Sequence, residues 1–309
     1  MTALLYGFTV LIWGTTWIAI SVQAEYTTPY VAIFWRMSVS ALLLGAILIA
    51  TRRLQSISAK DHTFCLAQGV TVFGINFLCF YSAANYVNSG LECIIFSTSI
   101  FFNAINAWIF LKQKPSRNFL PASVLGVSGI ILLFSRDLQS AEVDLNFIKS
   151  VGLCLLGTYA FSLGNMAGAR NQLKKLCTFS TTTYAMSYSA LIMLSLALLS
   201  NEDIFPSMEP AFLLSLAHLS ILGSVVAFTA YFTLVGRIGS ADAAYATLLF
   251  PMVALLIATI YEGFVWTESS IAGALLVLSG VLALFIKPGN LLLRLPAYSQ
   301  TLFTRKHHE

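Results

Sequence analysis

The 309-residue sequence predicts an all-α, polytopic membrane protein whose ten transmembrane helices form two inverted five-helix repeats. Three observations carry that prediction. The chain is 58% hydrophobic and only 10% charged, with a mean hydropathy of +0.81, whereas soluble domains carry about 25% charged residues. Its apolar residues gather into runs of roughly 20, the length a helix needs to cross the hydrocarbon core. Short pieces of the first half also recur in the second, always 151 positions later. The composition excludes disorder, which needs low hydrophobicity and high net charge. Five cysteines in this length exclude a disulfide-stapled scaffold. The net charge of +4 does not indicate a nucleic-acid partner, because the basic residues lie in short clusters between apolar runs and not along one stripe.

Taken in order, the runs place spans at residues 3–23, 29–51, 63–84, 90–111, 119–135, 150–169, 179–200, 211–235, 242–262 and 270–287. They are too continuously apolar for barrel strands, which alternate over about ten residues. No Lys or Arg precedes the first run, so it is read as a span and not as a cleavable signal. Thr28-Pro29 supplies a cap and an N1 proline to the second helix. Ser89-Gly90-Leu91-Glu92 reads as a capping box opening the fourth. Thr267 or Ser269 caps the tenth.

Orientation follows from the basic residues. With the N-terminus cytoplasmic, fourteen of the 17 Lys and Arg fall inside, two outside (Arg136, Lys149), and Arg36 lies within a helix. Both termini are therefore placed in the cytoplasm of a bacterial cell whose cytoplasmic (inner) membrane holds the chain. The expected organisation is a first repeat over 1–135, an external linker over 136–149, a second repeat over 150–287 and a cytoplasmic tail over 288–309.

The repeat is carried by Gly126-Val-Ser-Gly129 through Phe134 and its counterpart Val277-Leu-Ser-Gly280 through Phe285. The same offset sets Ser89 over Ser240 and Phe80-Tyr81 over Tyr231-Phe232. Five spans per unit is an odd number, so the second unit inserts upside down. Inverted repeats recur in secondary transporters, with the substrate site at their interface.

Trp13-Gly14, Arg36, the run Ala243-Ala244-Tyr245-Ala246-Thr247-Leu248-Leu249-Phe250-Pro251, Tyr261-Glu262, Gly273 and Gly280 together resemble the EamA-type proteins of the drug/metabolite transporter superfamily. The first half departs from that pattern, with Ser99-Ile100 where a proline is expected and Leu111-Lys112 where a glutamate is. The resemblance implies ten helices in two inverted halves, transport of small metabolites, often export of amino acids, and a cavity lined by helices 1, 3, 4, 6, 8 and 9.

Candidate site residues come from polar and aromatic groups inside the spans, where polarity is costly and usually faces a cavity or a partner. Glu92, Ser99, Asn103 and Asn106 fall within a sector about 60° wide at ~100° per residue. That stripe reads as a pathway wall or as interhelical hydrogen bonding. Trp13 and Trp17, one turn apart, line an aromatic pocket or pack against lipid. Asn76 and Tyr81 on the third helix, Tyr159 and Asn165 on the sixth, and Tyr231 and Tyr245 in the second half are further pathway candidates, each weighed against a plain interhelical bond. Glu92 and His218 are candidates for proton coupling. Pro251 marks a hinge or a static bend. Arg36 either binds a substrate carboxylate or snorkels, and the resemblance favours a structural role for its helix.

No G-x-x-x-x-G-K-[ST], G-x-S-x-G or H-E-x-x-H occurs, and no His/Cys cluster has metal spacing. The reading is therefore not an enzyme, with no cofactor and no metal, its partners a small-molecule substrate and the lipid bilayer. It is a secondary transporter working by alternating access, preferentially an amino-acid or metabolite exporter. The alternatives are an uptake permease and a non-transporting sensor or assembly protein.

Overall fold

The computed structural model describes residues 2–112, 114, 118–133, 135, 145–227, 230 and 246–285. Among these there is no strand. The helices are α1 (Thr2–Ala24), α2 (Pro29–Ala50), α3 (Ala59–Ala83), α4 (Ser89–Leu111), α5 (Phe119–Leu133), α6 (Leu145–Leu173), α7 (Thr178–Leu199), α8 (Pro210–Val226), α9 (Ala246–Tyr261) and α10 (Glu268–Phe285). Six of them (α1–α4, α6 and α7) contain a stretch long and apolar enough to cross a membrane, and the other four are shorter apolar helices. Within the described residues the expected spans fall on these helices with two extensions, while the ends of the 119–135, 211–235, 242–262 and 270–287 spans include residues outside the described ones. α3 begins at Ala59, ahead of 63, and α6 runs from Leu145 to Leu173, past 150 at one end and 169 at the other. Both extensions carry polar residues such as Lys60, Asn146 and Arg170. A hydropathy reading stops at the hydrocarbon edge, while the backbone hydrogen bonds continue into the polar zone.

The helix starts correct two expectations. Ser89 is not the cap of α4. Asn88 is, its side chain accepting from Leu91 N–H at 3.0 Å. Ser89 lies one residue inside and donates both its N–H (2.9 Å) and its hydroxyl (2.8 Å) to Oε2 of Glu262, at the end of α9. Glu92 thus takes no part in a capping box. Thr28 precedes an N1 proline as expected, but its hydroxyl bonds Glu202 in the α7–α8 loop and caps nothing. Thr267 caps α10, accepting from Ser270 N–H at 3.1 Å.

The most extensive contacts between helices follow the 151-residue offset. Exchanging each helix for the one five later turns the α1–α9 contact into α6–α4 and the α3–α6 contact into α8–α1. It leaves the α2–α7, α4–α9 and α5–α10 contacts in place. The α5–α10 seam shows the symmetry atom by atom. A Cβ on Gly129 would stand 2.7 Å from the Gly273 carbonyl, and one on Gly280 would stand 2.6 Å from the Ala122 carbonyl. Adding 151 to 129 and 122 gives 280 and 273, so each close contact is the other's image. Residue numbers rise along α5 as they fall along α10, so the helices run antiparallel. The third helix of each half also carries a π-helical stretch at matching places, Gly69–Ile75 in α3 and His218–Val226 in α8. π turns are rare and gather at functional sites.

Two apolar cores flank the centre. One joins α1, α3, α4, α5, α6, α9 and α10 around Phe80, Ile94, Phe250 and Leu255. The other joins α1, α2, α3, α7 and α8 around Ile33, Met37, Phe73, Met186 and Leu219. Between helices in lipid there is little hydrophobic drive, so small residues that admit close backbone packing carry the association.

Gly129→Leu should therefore lower the melting temperature of the detergent-solubilised protein, at a cost of about 1–3 kcal/mol from overpacking. Gly152→Leu, where an added Cβ meets nothing within 4 Å, should leave it nearly unchanged. Glu262→Ala strands the Ser89 donors and should cost about 1 kcal/mol in the same melting measurement.

Candidate functional site

A cavity of about 380 Å³ lies between the two halves, within the roughly 300–1,000 Å³ typical of small-molecule sites. Its walls come chiefly from α1, α3, α4 and α6, with Arg36 from α2, three threonines from α7, Gly223 from α8 and Phe250 from α9. The chain's own direction orders these residues by depth. At one end stand half-buried Gln68, Ala169 and Thr178 and exposed Gln172, beside the α6–α7 connection. At the other stand Ile20, Arg36 and Phe80, each at most 4% exposed. The cavity is thus wet at one end and closed at the other.

Aromatic rings make up the closed end. Phe96 is central, with ring centroids 5.3 Å from Trp17, 5.8 Å from Phe80, 4.8 Å from Phe161 and 6.3 Å from Phe250. Trp17 meets Phe80 edge to face at 5.1 Å, and Trp13 meets Phe250 at 6.4 Å. Such edge-to-face pairs are favoured by the ring quadrupoles. The Trp13 indole also donates to the Gly223 carbonyl at 3.2 Å, joining α1 to the π-helical stretch of α8.

Amides occupy the middle. Asn103 on α4 accepts from Asn165 on α6 at 3.3 Å, and both line the cavity beside Ser99. Asn76, also on the wall, donates to the Gly157 carbonyl at 2.9 Å and so holds α3 against α6. Near the wet end, Asp61 on α3 pairs with Arg170 (2.5 Å) and Lys174 (3.2 Å) on α6, closing the same helix pair.

Of the residues singled out from sequence, Trp13, Trp17, Asn76, Ser99, Asn103 and Asn165 are brought together on this cavity. The α4 stripe divides. Thr98 breaks the helix between Ser97 and Ser99, and the two ends of the stripe leave the wall. Asn106 is buried and donates to Ser162 on α6 at 2.8 Å. Glu92 is fully buried off the cavity, with neither carboxyl oxygen hydrogen-bonded. Tyr81 is buried behind the wall and donates to Gln23 at 2.5 Å. Tyr159 is an outward ring, 39% exposed, packed on Phe102. His218 shares a 2.9 Å hydrogen bond with Thr15, tying α8 to α1. Pro251 lies inside α9 next to Phe250, where Gly14 lets α1 approach the Phe250 carbonyl. Tyr231 and Tyr245 lie outside the described residues.

Sequence reasoning missed Phe96, Phe80, Phe161, Phe250 and Gln172, and it left Arg36, which lines the cavity, between binding a substrate carboxylate and a structural role. A signal for Phe96 was present. Phe96, Ser99, Ile100 and Asn103 follow the i, i+3, i+4, i+7 spacing of one helix face, and selecting only polar residues discarded half of that face. Phe161 carries a like signal, since Phe161, Asn165, Gly168 and Gln172 share one face of α6, whereas Phe250 is one apolar residue among many.

Comparison with known proteins identifies the family and the fold. Residues 1–135 and 148–286 match the EamA-like transporter family. A "Probable amino-acid metabolite efflux pump" of Salmonella typhimurium is 24% identical over 286 residues, covering 88% of this chain and 90% of its own. A protein of the same description from Escherichia coli is also 24% identical, with the same coverage. An "Uncharacterized transporter" of Archaeoglobus fulgidus is 25% identical over 261 residues, covering 83% and 88%. A crystal structure superposes with a TM-score of 0.65 at 12% identity, covering 91% of this chain and 95% of that one, a likeness of fold. The chain is an integral membrane protein and belongs to the EamA-like transporter family.

Proposed function

We propose that this transporter exports amino acids or closely related metabolites across a bacterial cytoplasmic membrane by alternating access, both termini lying in the cytoplasm. The observation that carries the proposal is the single-ended cavity between two symmetry-related halves. Its wet end lies beside the α6–α7 connection, on the side that the basic residues assign to the cytoplasm. The structure then corresponds to the state that loads from inside. Rocking the halves about Gly14 and Pro251 would open the aromatic end. The lining of rings, amides and hydroxyls suits a small molecule with an apolar side group. The relatives described as amino-acid metabolite efflux pumps support the same cargo and direction.

Glu92 is the proposed proton-coupling group. It lies in the first turn of α4, at the closed end, with both oxygens unpartnered. The titratable groups around it are Tyr81, Cys93, Cys154 and Glu262. Opening that end would bring it to the opposite side of the membrane. His218, committed to Thr15, is assigned the tying of α8 to α1.

Two measurements test this reading. Cells overproducing the protein should gain resistance to toxic amino-acid analogues and release labelled amino acids faster. Net uptake would reverse the direction, and no change across a broad panel would remove the cargo. The Asn103→Leu, Asn165→Leu double variant should lose about tenfold in flux, equivalent to ~1.4 kcal/mol, at unchanged yield. Full retention of function in that variant would favour a non-transporting role. In proteoliposomes, Glu92→Gln should keep substrate exchange yet lose acceleration by an imposed pH gradient, and an unchanged response would remove Glu92 from coupling.

A further inference from the structure

We infer that Arg36 is the receptor for a carboxylate of the transported molecule, so that the cavity selects small monoanions and zwitterions bearing an apolar or aromatic group. The inference rests on the transport reading above and deepens it.

Arg36 lines the closed end of the cavity and is 4% exposed. Its guanidinium lies over the Phe77 ring, 4.0 Å from the centroid, so the head group is turned into the protein and does not snorkel. Nε and Nη1 find no acceptor. Among the described residues the ion pairs are those of Asp61 with Arg170 and Lys174, so no carboxylate lies within 4.0 Å of Arg36. Glu92, also buried, has neither carboxyl oxygen hydrogen-bonded and so is not a partner of Arg36. The Tyr81 hydroxyl, whose proton is given to Gln23, accepts a hydrogen bond from the guanidinium and is a neutral partner, not a counter-charge. The α2 backbone is held at this level, since the Arg36 carbonyl accepts from Ser40 at 2.7 Å and from Ser220 at 3.3 Å.

A buried guanidinium without a counter-charge is expensive, and a fixed one beside a cavity is a demand for an anion. The planar fork matches a carboxylate with two parallel hydrogen bonds. Among the described residues no Lys and no second Arg lines the cavity, so one negative charge is answered there and a doubly charged phosphate is not. Trp17, Phe80 and Phe96 stand at the same end, where they would receive the apolar group of such an acid.

The test compares L-phenylalanine with L-phenylalaninamide, which differs at the carboxyl group, using the full chain in proteoliposomes. Wild type should exchange the acid about tenfold faster than the amide. Arg36→Gln should lose the acid to the level of the amide while leaving amide exchange unchanged. Equal loss of both probes, or retention of acid exchange within about twofold, overturns the inference. A second readout does not depend on transport: quenching of tryptophan fluorescence in detergent, since Trp13 and Trp17 line the same cavity. If wild type exchanges neither probe, the amino-acid transport reading fails. The quenching titration then decides Arg36 alone: acid-selective quenching lost in Arg36→Gln upholds it, and no acid selectivity in wild type overturns it. Should Arg36→Gln not be recovered folded, Arg36→Lys carries the test by keeping the charge and losing the fork. Acid binding should then weaken about three- to tenfold with the amide unaffected, and unaltered acid binding overturns the inference.

Discussion

Close approach of helix backbones, secured by residues with little or no side chain, is the constraint on which the rest of the structure depends. In water, two helices associate because their apolar faces leave the solvent. In lipid that gain is largely absent, and contact distance decides. Gly129 of α5 and Gly273 and Gly280 of α10 stand where any Cβ would collide with the facing backbone. Gly14 gives Val253 of α9 the same room against α1, and Gly90 gives it to Leu255 and Ala258 of α9 against α4. These seams join one half of the chain to the other, so the cavity is bounded by a frame that side chains alone would hold apart.

Around that frame, polar groups sort by whether a neighbour can satisfy them. Asn106 and Ser162 satisfy each other and drop out of the cavity wall. Asn103 and Asn165 make one long contact at 3.3 Å and keep hydrogen-bonding capacity facing the cavity. The wall is therefore neither a sealed core nor a charged pore. It is a set of partly engaged amides between an aromatic end and an end lined by Gln68, Gln172 and the α7 threonines.

Much of the architecture was legible in the residues. Among the described residues each of the apolar runs falls on a helix, and the offset seen in Gly129 and Gly280 reappeared as a symmetric pair of backbone contacts. The site was half legible, for a definite reason. Polarity in an apolar helix announces itself, as at Asn76 and Asn165, whereas an aromatic ring facing a cavity looks the same in sequence as one facing lipid. Helical angles also mislead where the helix is irregular. The break at Thr98 and the π turns of α3 and α8 shift the faces that a uniform 100° step assigns. Capping fails in its own way, because Glu262 reaches Ser89 from 173 residues away and local spacing cannot register it.

That bond between Glu262 and Ser89 has an energetic consequence for a machine made of two like halves. If the halves were identical, the conformations facing either side of the membrane would be mirror images in energy as well as in shape, and neither would be preferred. The position matching Glu262 in the first half is Leu111, which has nothing to offer a helix start. Trp13 likewise faces Gly164 across the offset, and Gly14 faces Asn165. Under the proposed alternating access, each mismatch would be an interaction available to one conformation and denied to its counterpart. The resting poise of the protein is written in the places where the repeat fails to repeat.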